Sequence, residues 1–330
     1  MIHNTALRNN FPVRVCITRP IPEPGPAILT ERGLDVWVRE RCVPPDEDEL
    51  AGLAGEFQIL ITLLTDPVTE RVLSSGIRMV AQMAGGYDNI DLPAATRHRV
   101  VVTNTPGALT ESTAELTWAL ILAVARHIVI ADQYTRQGRF KAWDATAFLG
   151  AELSGKSMGI LGAGRIGTRV GEIACAFRMS LLYYDLVPSE RLDSLGARHV
   201  SLAEVLREAD VLSLHLPLTP ETKALIGEKE LRLMKPSAII VNAARGPIVD
   251  EDALVKALKE GWIAGAGFDV YEKEPKVHPD LLGMSNVVLL PHIGSATREA
   301  RSAMSRAVAE NVLAFVEGRR PPNILNPEVL

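Results

Sequence analysis

Short apolar runs bounded by glycine, proline and acidic residues recur along the chain, and stretches with helical spacing separate them. The runs Val13–Thr18, Leu34–Val38, Gln58–Leu63, Arg78–Met83 and Val100–Thr103 read as strands. Pro45–Leu53 and Pro67–Leu73, with acidic or proline starts, read as helices between them. A long apolar helix is predicted over Glu111–Gln137. The alternation then restarts with Ser157–Leu161, Leu181–Tyr184, Val211–Leu216, Ala238–Val241, Ile263–Phe268 and Val287–Leu290. Strands alternating with helices imply parallel sheets covered on both faces, and two such series imply two α/β domains. The second series is the more uniformly apolar, as a sheet buried on both sides requires. A last helix over Thr297–Gly318 follows the final strand, and we expect it to return the chain to the first domain.

Composition narrows the class without changing this picture. The 330 residues suit about two domains, and 47% hydrophobic with 23% charged residues suits a globular enzyme. The net charge of −5 is spread along the chain, so no basic face for nucleic acid is expected. The longest apolar run, Leu116–Ala125, ends at Arg126 and His127, far short of the ~20 residues of a membrane span. Met1–Asn10 has no apolar core of the secretory kind. Cys16, Cys42 and Cys175 are too far apart for a metal cluster and odd in number, which predicts three reduced, mostly buried thiols and no metal site. The expected location is the cytoplasm.

The hexapeptide Gly162-Ala-Gly-Arg-Ile-Gly167 matches the dinucleotide fingerprint, and its context gives the match weight. A predicted strand precedes it, and Ile166, Val170, Ile173, Ala174 and Phe177 follow at helical spacing. Gly162 then permits a tight turn, Gly164 lets the backbone approach a pyrophosphate, and Gly167 lets helix and strand pack closely. The N–H groups of Arg165 and Ile166 open that helix toward the phosphates. Asp185 follows the next strand, 23 positions after Gly162, where a carboxylate accepts hydrogen bonds from the adenosine ribose and repels a 2′-phosphate. NAD is therefore expected, with NADP possible. Two overlapping motifs fail on context. Gly150–Ser157 fits the P-loop pattern and Gly155–Gly159 fits the nucleophile elbow, but Ser157 begins a predicted strand, whereas both motifs must follow one.

Arg245, Glu274 and His292 each lie just beyond a predicted strand. The carboxyl ends of parallel strands face the ligand crevice of an open sheet, so the three are candidates to converge there. Together they supply what reduction of a keto acid needs. A planar guanidinium matches a carboxylate, an imidazole gives a proton near neutral pH, and a carboxylate orients that ring and favours its charged form.

With these residues in place, the chain resembles the D-isomer-specific 2-hydroxyacid dehydrogenases, most of all their glyoxylate and hydroxypyruvate reductases. The matching stretches run from about Val13 to Pro327. They include Ile17–Pro24, Leu63–Asp66, Gly86–Asp91, Thr103–Pro106, the fingerprint, Asn242–Gly246 and Pro291–Ser295. The resemblance implies a Rossmann-type cofactor domain over residues 107–292. It implies a discontinuous, flavodoxin-like substrate domain over 1–106 and 293–330, with a cleft between the two. It implies Arg245 as the residue that binds substrate and polarises the carbonyl, His292 as general acid and base, and Glu274 as its partner. Backbone N–H groups at Gly85 and Gly86, with Leu64 nearby, would hold the substrate carboxylate from the opposite domain. Asp269 and Gly294 would meet the nicotinamide carboxamide, Thr113 would lie near the ring, and Pro217 and Ala243 would line the cofactor. The substrate would be a small 2-oxo or 2-hydroxy acid, and the assembly a homodimer built through the cofactor domains.

The match has departures. Gly85 stands where many relatives carry a larger apolar residue, Phe140–Phe148 is shorter than in typical glyoxylate reductases, and Met1–Asn10 has no counterpart and is expected to be a disordered extension. Two alternatives use the same scaffold. One is an NAD(H)-sensing, corepressor-like binding protein, and the other is a phosphoglycerate- or phosphite-type dehydrogenase. The retained Arg245, Glu274 and His292 weigh against the first. The absence of a basic residue in Ala84–Gly86 weighs against the second.

Overall fold

The computed structural model describes residues 12–330, so the expectation for Met1–Asn10 lies outside the described residues. The chain divides into two compact units. One contains the described residues up to Leu109 together with Ala296–Leu330, and the other is Thr110–Ser295.

In the first unit, β1 (Arg14–Ile17), β2 (Asp35–Val38), β3 (Ile59–Thr62), β4 (Met79–Gln82) and β5 (Val101–Thr103) pair in parallel in the order β2-β1-β3-β4-β5. This is the flavodoxin-like order. Period-two alternation splits the core of the sheet between its faces. Ile59 and Ile61 join Val308 and Val312 of the helix Arg298–Val316 on one side, while Leu60 joins Leu50 and Val72 on the other. The predicted final helix thus belongs to this unit.

In the second unit the strands are β6 (Ser157–Leu161), β7 (Ser180–Tyr184), β8 (Arg198–His199), β9 (Val211–Leu214), β10 (Ile239–Asn242), β11 (Gly265–Phe268) and β12 (Val287–Leu289). They run parallel in the order β12-β11-β10-β9-β6-β7-β8, a doubly wound sheet whose strand order reverses beside β6. Met158 and Ile160 pack on one face and Leu161 on the other, so β6 is buried from both sides. The two-residue edge strand β8 has no apolar signature, because both of its residues are exposed.

Two expectations are corrected. The predicted helix over Glu111–Gln137 is two helices, Thr110–Ala125 and Ile128–Arg136, bent by 67° at the break. His127 sits in the left-handed region at φ 53°, and Ala151 N–H takes the Ala125 carbonyl at 2.8 Å. Gly150 lies so close to that carbonyl that a Cβ there would sit 2.2 Å from it, so the incoming segment ends the first helix. The thiols are not mostly buried. Cys16 is buried in β1, where burial pushes its pKa up to about 12, but Cys42 in the loop after β2 and Cys175 on the helix after the fingerprint are exposed. Among the described residues no single helix is long and apolar enough to cross a membrane.

Candidate active site

The fingerprint forms where β6 meets the helix Arg165–Ala176. Gly162 adopts φ +98°, and a Cβ there would lie 2.6 Å from the His215 carbonyl oxygen. At Gly167 a Cβ would stand 2.0 Å from the Gly162 carbonyl. Gly164, the N-cap, has open space where its Cβ would be, and no side chain caps the helix. The first-turn N–H groups, which include those of Arg165, Ile166 and Gly167, therefore face an open cradle that a pyrophosphate fits. The P-loop and nucleophile-elbow alternatives fail here, since Ser157 is the first residue of β6 rather than the start of a helix.

Asp185 follows β7 and folds back over this loop. Its Oδ2 accepts from the Ala163 N–H at 2.6 Å and its Oδ1 from the Leu186 N–H at 2.7 Å. His199 Nε2 lies 2.9 Å from the Asp185 carbonyl, which fixes the strand end. At the end of β9, burial pushes the His215 imidazole down to about 3, so it is neutral beside the cradle, with Nε2 2.8 Å from Ser213 Oγ. Two residues further on, the exposed Pro217 has its carbonyl held by Thr222 Oγ1 at 2.7 Å.

Three neighbouring strand ends carry the candidate catalytic groups. After β10, the buried Asn242 braces the turn through Ala243, its amide donating to the Arg245 carbonyl at 2.8 Å and accepting from the Ala244 N–H at 3.0 Å. The Arg245 guanidinium also donates to the Ala244 carbonyl at 2.7 Å. Gly246 follows because a Cβ there would overlap the Tyr271 backbone, 1.9 Å from its carbonyl carbon. The Arg245 turn is thereby packed directly on the loop after β11 that carries Glu274.

Beyond β12, His292 takes a left-handed φ of 55° with its N–H on the Asp269 carbonyl at 2.8 Å. Its Nδ1 is 2.8 Å from Glu274 Oε2, and the other carboxylate oxygen accepts the Tyr271 N–H at 3.1 Å. Nε2, on the opposite side of the ring, has no partner among the described residues. Burial pushes the Glu274 carboxyl up. The hydrogen bond and charge of His292, with the Tyr271 N–H and the Arg245 charge, outweigh this and hold it below the usual carboxylate range. Glu274 is thus anionic near neutrality, paired with the His292 ring and within electrostatic reach of the Arg245 charge.

Asp269 is buried, and burial raises its pKa although it accepts the Ile293 and Gly294 N–H groups at 2.7 Å each. Thr113 Oγ1 donates to the Gly294 carbonyl at 3.2 Å, so these three residues fix the turn that presents His292. In the first unit, Leu64 follows β3 and Gly85 and Gly86 follow β4, again at carboxyl strand ends. A Cβ on Gly85 would touch only Leu109, at 3.4 Å.

Sequence reasoning missed three residues that position the cluster. They are Asn242, Glu251, whose Oε1 accepts the Glu272 N–H at 2.7 Å, and Tyr271, whose hydroxyl donates to the Leu290 carbonyl at 2.8 Å. Asn242 alone left a sequence signal, as a polar residue closing an apolar strand. The other two act on backbone groups that the fold brings to them.

A doubly wound sheet with an open fingerprint helix, flanked by an imidazole–carboxylate pair and an arginine, defines a nicotinamide-dependent dehydrogenase. Residues 118–294 match the family description "D-isomer specific 2-hydroxyacid dehydrogenase, NAD binding domain". The chain is 51% identical over 326 residues to a glyoxylate reductase of Aeropyrum pernix, covering 96% of this chain and 97% of that one. Among solved structures it resembles an NADPH-dependent glyoxylate/hydroxypyruvate reductase from Sinorhizobium meliloti in complex with NADP and malonate, with a TM-score of 0.83, 31% identity, and 96% and 98% of the two chains covered. It also resembles D-lactate dehydrogenase from Aquifex aeolicus complexed with NAD and lactic acid, with a TM-score of 0.84, 29% identity, and 95% and 99% covered. The chain belongs to the D-isomer-specific 2-hydroxyacid dehydrogenases and is an NAD(P)-dependent oxidoreductase.

Proposed function

We propose that the protein reduces a small 2-oxo acid of the glyoxylate or hydroxypyruvate type with NADH, and oxidises the corresponding D-2-hydroxy acid in reverse. The observation that carries this reading is the His292–Glu274 pair at 2.8 Å, whose carboxylate also feels Arg245, at the carboxyl end of the same sheet that carries the nucleotide cradle. When bound, NADH supplies the hydride that C2 receives. Arg245 pairs with the substrate and stabilises charge growing on the carbonyl oxygen. Protonated His292 gives its Nε2 proton to that oxygen, while Glu274 holds the ring through Nδ1 and balances its charge. A bound cofactor would have Thr113, Asp269 and Gly294 beside its nicotinamide, Pro217 and Ala243 along it, and Asp185 at its adenosine ribose. The N–H groups of Gly85 and Gly86, with Leu64 beside them, take the carboxylate. Two copies associate through the cofactor unit. The helix Ile128–Arg136 buries none of its residues, and Trp143 beyond it is 83% exposed, a surface suited to a second copy of this chain in the cytoplasm.

Steady-state assays with glyoxylate and hydroxypyruvate test this reading. Both are reduced with NADH, and kcat/KM is lower with NADPH because Asp185 repels the 2′-phosphate. No turnover of any small 2-oxo acid would refute it.

The role of Glu274 has its own signature. Its anion stabilises the imidazolium of His292, so Glu274→Gln makes that proton easier to lose. Reduction, which needs the protonated ring, then fades at a lower pH than in the wild type, and oxidation, which needs the neutral ring, persists to lower pH. A pH–rate profile that stays in place removes Glu274 from this role.

A further inference from the structure

Three stretches, Leu63–Asp66, Gly86–Asp91 and Thr103–Pro106, meet at the carboxyl ends of β3, β4 and β5, which are adjacent in the sheet. Asn89 ties the first two together, its amide donating to the carbonyls of Leu63 at 3.2 Å and Asp66 at 2.8 Å. The third stretch holds the glycine turn after β4. The Ala84 carbonyl accepts the Thr105 N–H at 2.9 Å, and the Gly85 carbonyl accepts from Asn104 Nδ2 at 2.8 Å.

These peptides are trans, and in a trans peptide the C=O and N–H point in opposite directions. Anchoring the Ala84 and Gly85 carbonyls on Asn104 and Thr105 therefore aims the N–H groups of Gly85 and Gly86 the other way. Neither N–H has an acceptor among the described residues, and both glycines are half-buried. Successive backbone N–H groups arranged in this way form an anion-binding concavity. Asn104 is itself held firmly. It is buried, its N–H donates to the Asn323 carbonyl at 3.2 Å, and its carbonyl accepts from the fully buried Asn311 at 3.1 Å.

We propose that Asn104 is a positioning residue for the substrate carboxylate, its side-chain amide presenting the Gly86 N–H by holding the Gly85 carbonyl. This rests on the reading of Gly85 and Gly86 given above. A side chain that only filled space here would need no donor. Asn104→Asp keeps the shape, loses the donor and sets a second anion behind the cradle, whereas Asn104→Ala only cuts the tether.

The test uses NADH-loaded enzyme with glyoxylate as substrate and oxalate as the non-reacting probe. Both variants should raise the KM for glyoxylate and the Ki for oxalate, by roughly tenfold for Asn104→Ala and more for Asn104→Asp. NADH affinity and melting temperature should hold, and kcat at saturation should change far less than KM. A loss of kcat and melting temperature together, with oxalate affinity unchanged, would mark Asn104 as merely structural and overturn the proposal. The amide resonance of Gly86 in the wild-type protein separates the two levels of the argument. If oxalate moves it while the Asn104 variants bind oxalate normally, the assignment of Asn104 falls and the cradle stands. If oxalate leaves it unmoved, the cradle itself falls.

Discussion

Arg245→Ala should lower kcat/KM for the 2-oxo acid by on the order of 10³-fold, roughly 4 kcal/mol of transition-state stabilisation. The expectation comes from how firmly the turn that carries this side chain is held. Asn242 clamps the carbonyl of Arg245 at 2.8 Å, and Gly246 allows the turn to lie against the Tyr271 backbone. The Arg245 charge contributes to keeping Glu274, the partner of His292, ionised. Arg245→Lys restores the charge without the planar fork and should recover only part of the loss. NADH affinity, read by fluorescence titration, should change little in either variant, because the nucleotide cradle lies on the separate β6 turn. A near-normal kcat/KM in Arg245→Ala would remove this residue from the chemistry.

His292→Asn should cost roughly 10²–10⁴-fold in kcat in both directions, the usual range for loss of general acid–base catalysis. Asparagine is the informative replacement because His292 sits at φ 55°, a conformation Asn tolerates better than other residues with a Cβ. The turn through Ile293 and Gly294 on Asp269 should then survive, and the loss reports proton transfer rather than a displaced backbone. Steady-state kinetics in the forward and reverse directions check it. A loss confined to one direction would contradict a shared acid and base.

Much of this architecture was legible in the sequence, for identifiable physical reasons. Strands buried on both faces, such as Ile59–Thr62 and Ser157–Leu161, must be apolar along their length, and such runs are visible without a structure. The edge strand Arg198–His199 is short and exposed, so no burial constraint marked it. The break at His127 escaped because the segment carrying Gly150 and Ala151 causes it, more than twenty residues away in sequence.

The same division runs through the site. Arg245, Glu274 and His292 stood out as candidates because each is a polar group just beyond an apolar run, and the structure pairs the last two at 2.8 Å. Tyr271, Glu251 and Asn104 hold backbone carbonyls and N–H groups that tertiary folding delivers, which nothing in residue type announces, whereas Asn242 showed only as a polar residue closing an apolar strand. Cys42 and Cys175 were misjudged for a related reason, since a small thiol is accepted equally by a core and by an exposed helix face.

The most direct test is a crystal structure of the protein with NAD bound and oxalate in place of substrate. One oxalate should lie within hydrogen-bond reach, roughly 2.6–3.2 Å, of both the Arg245 guanidinium and His292 Nε2, with Glu274 still on Nδ1. An oxalate bound elsewhere, or touching one of these side chains while the other points away, would contradict the assignment.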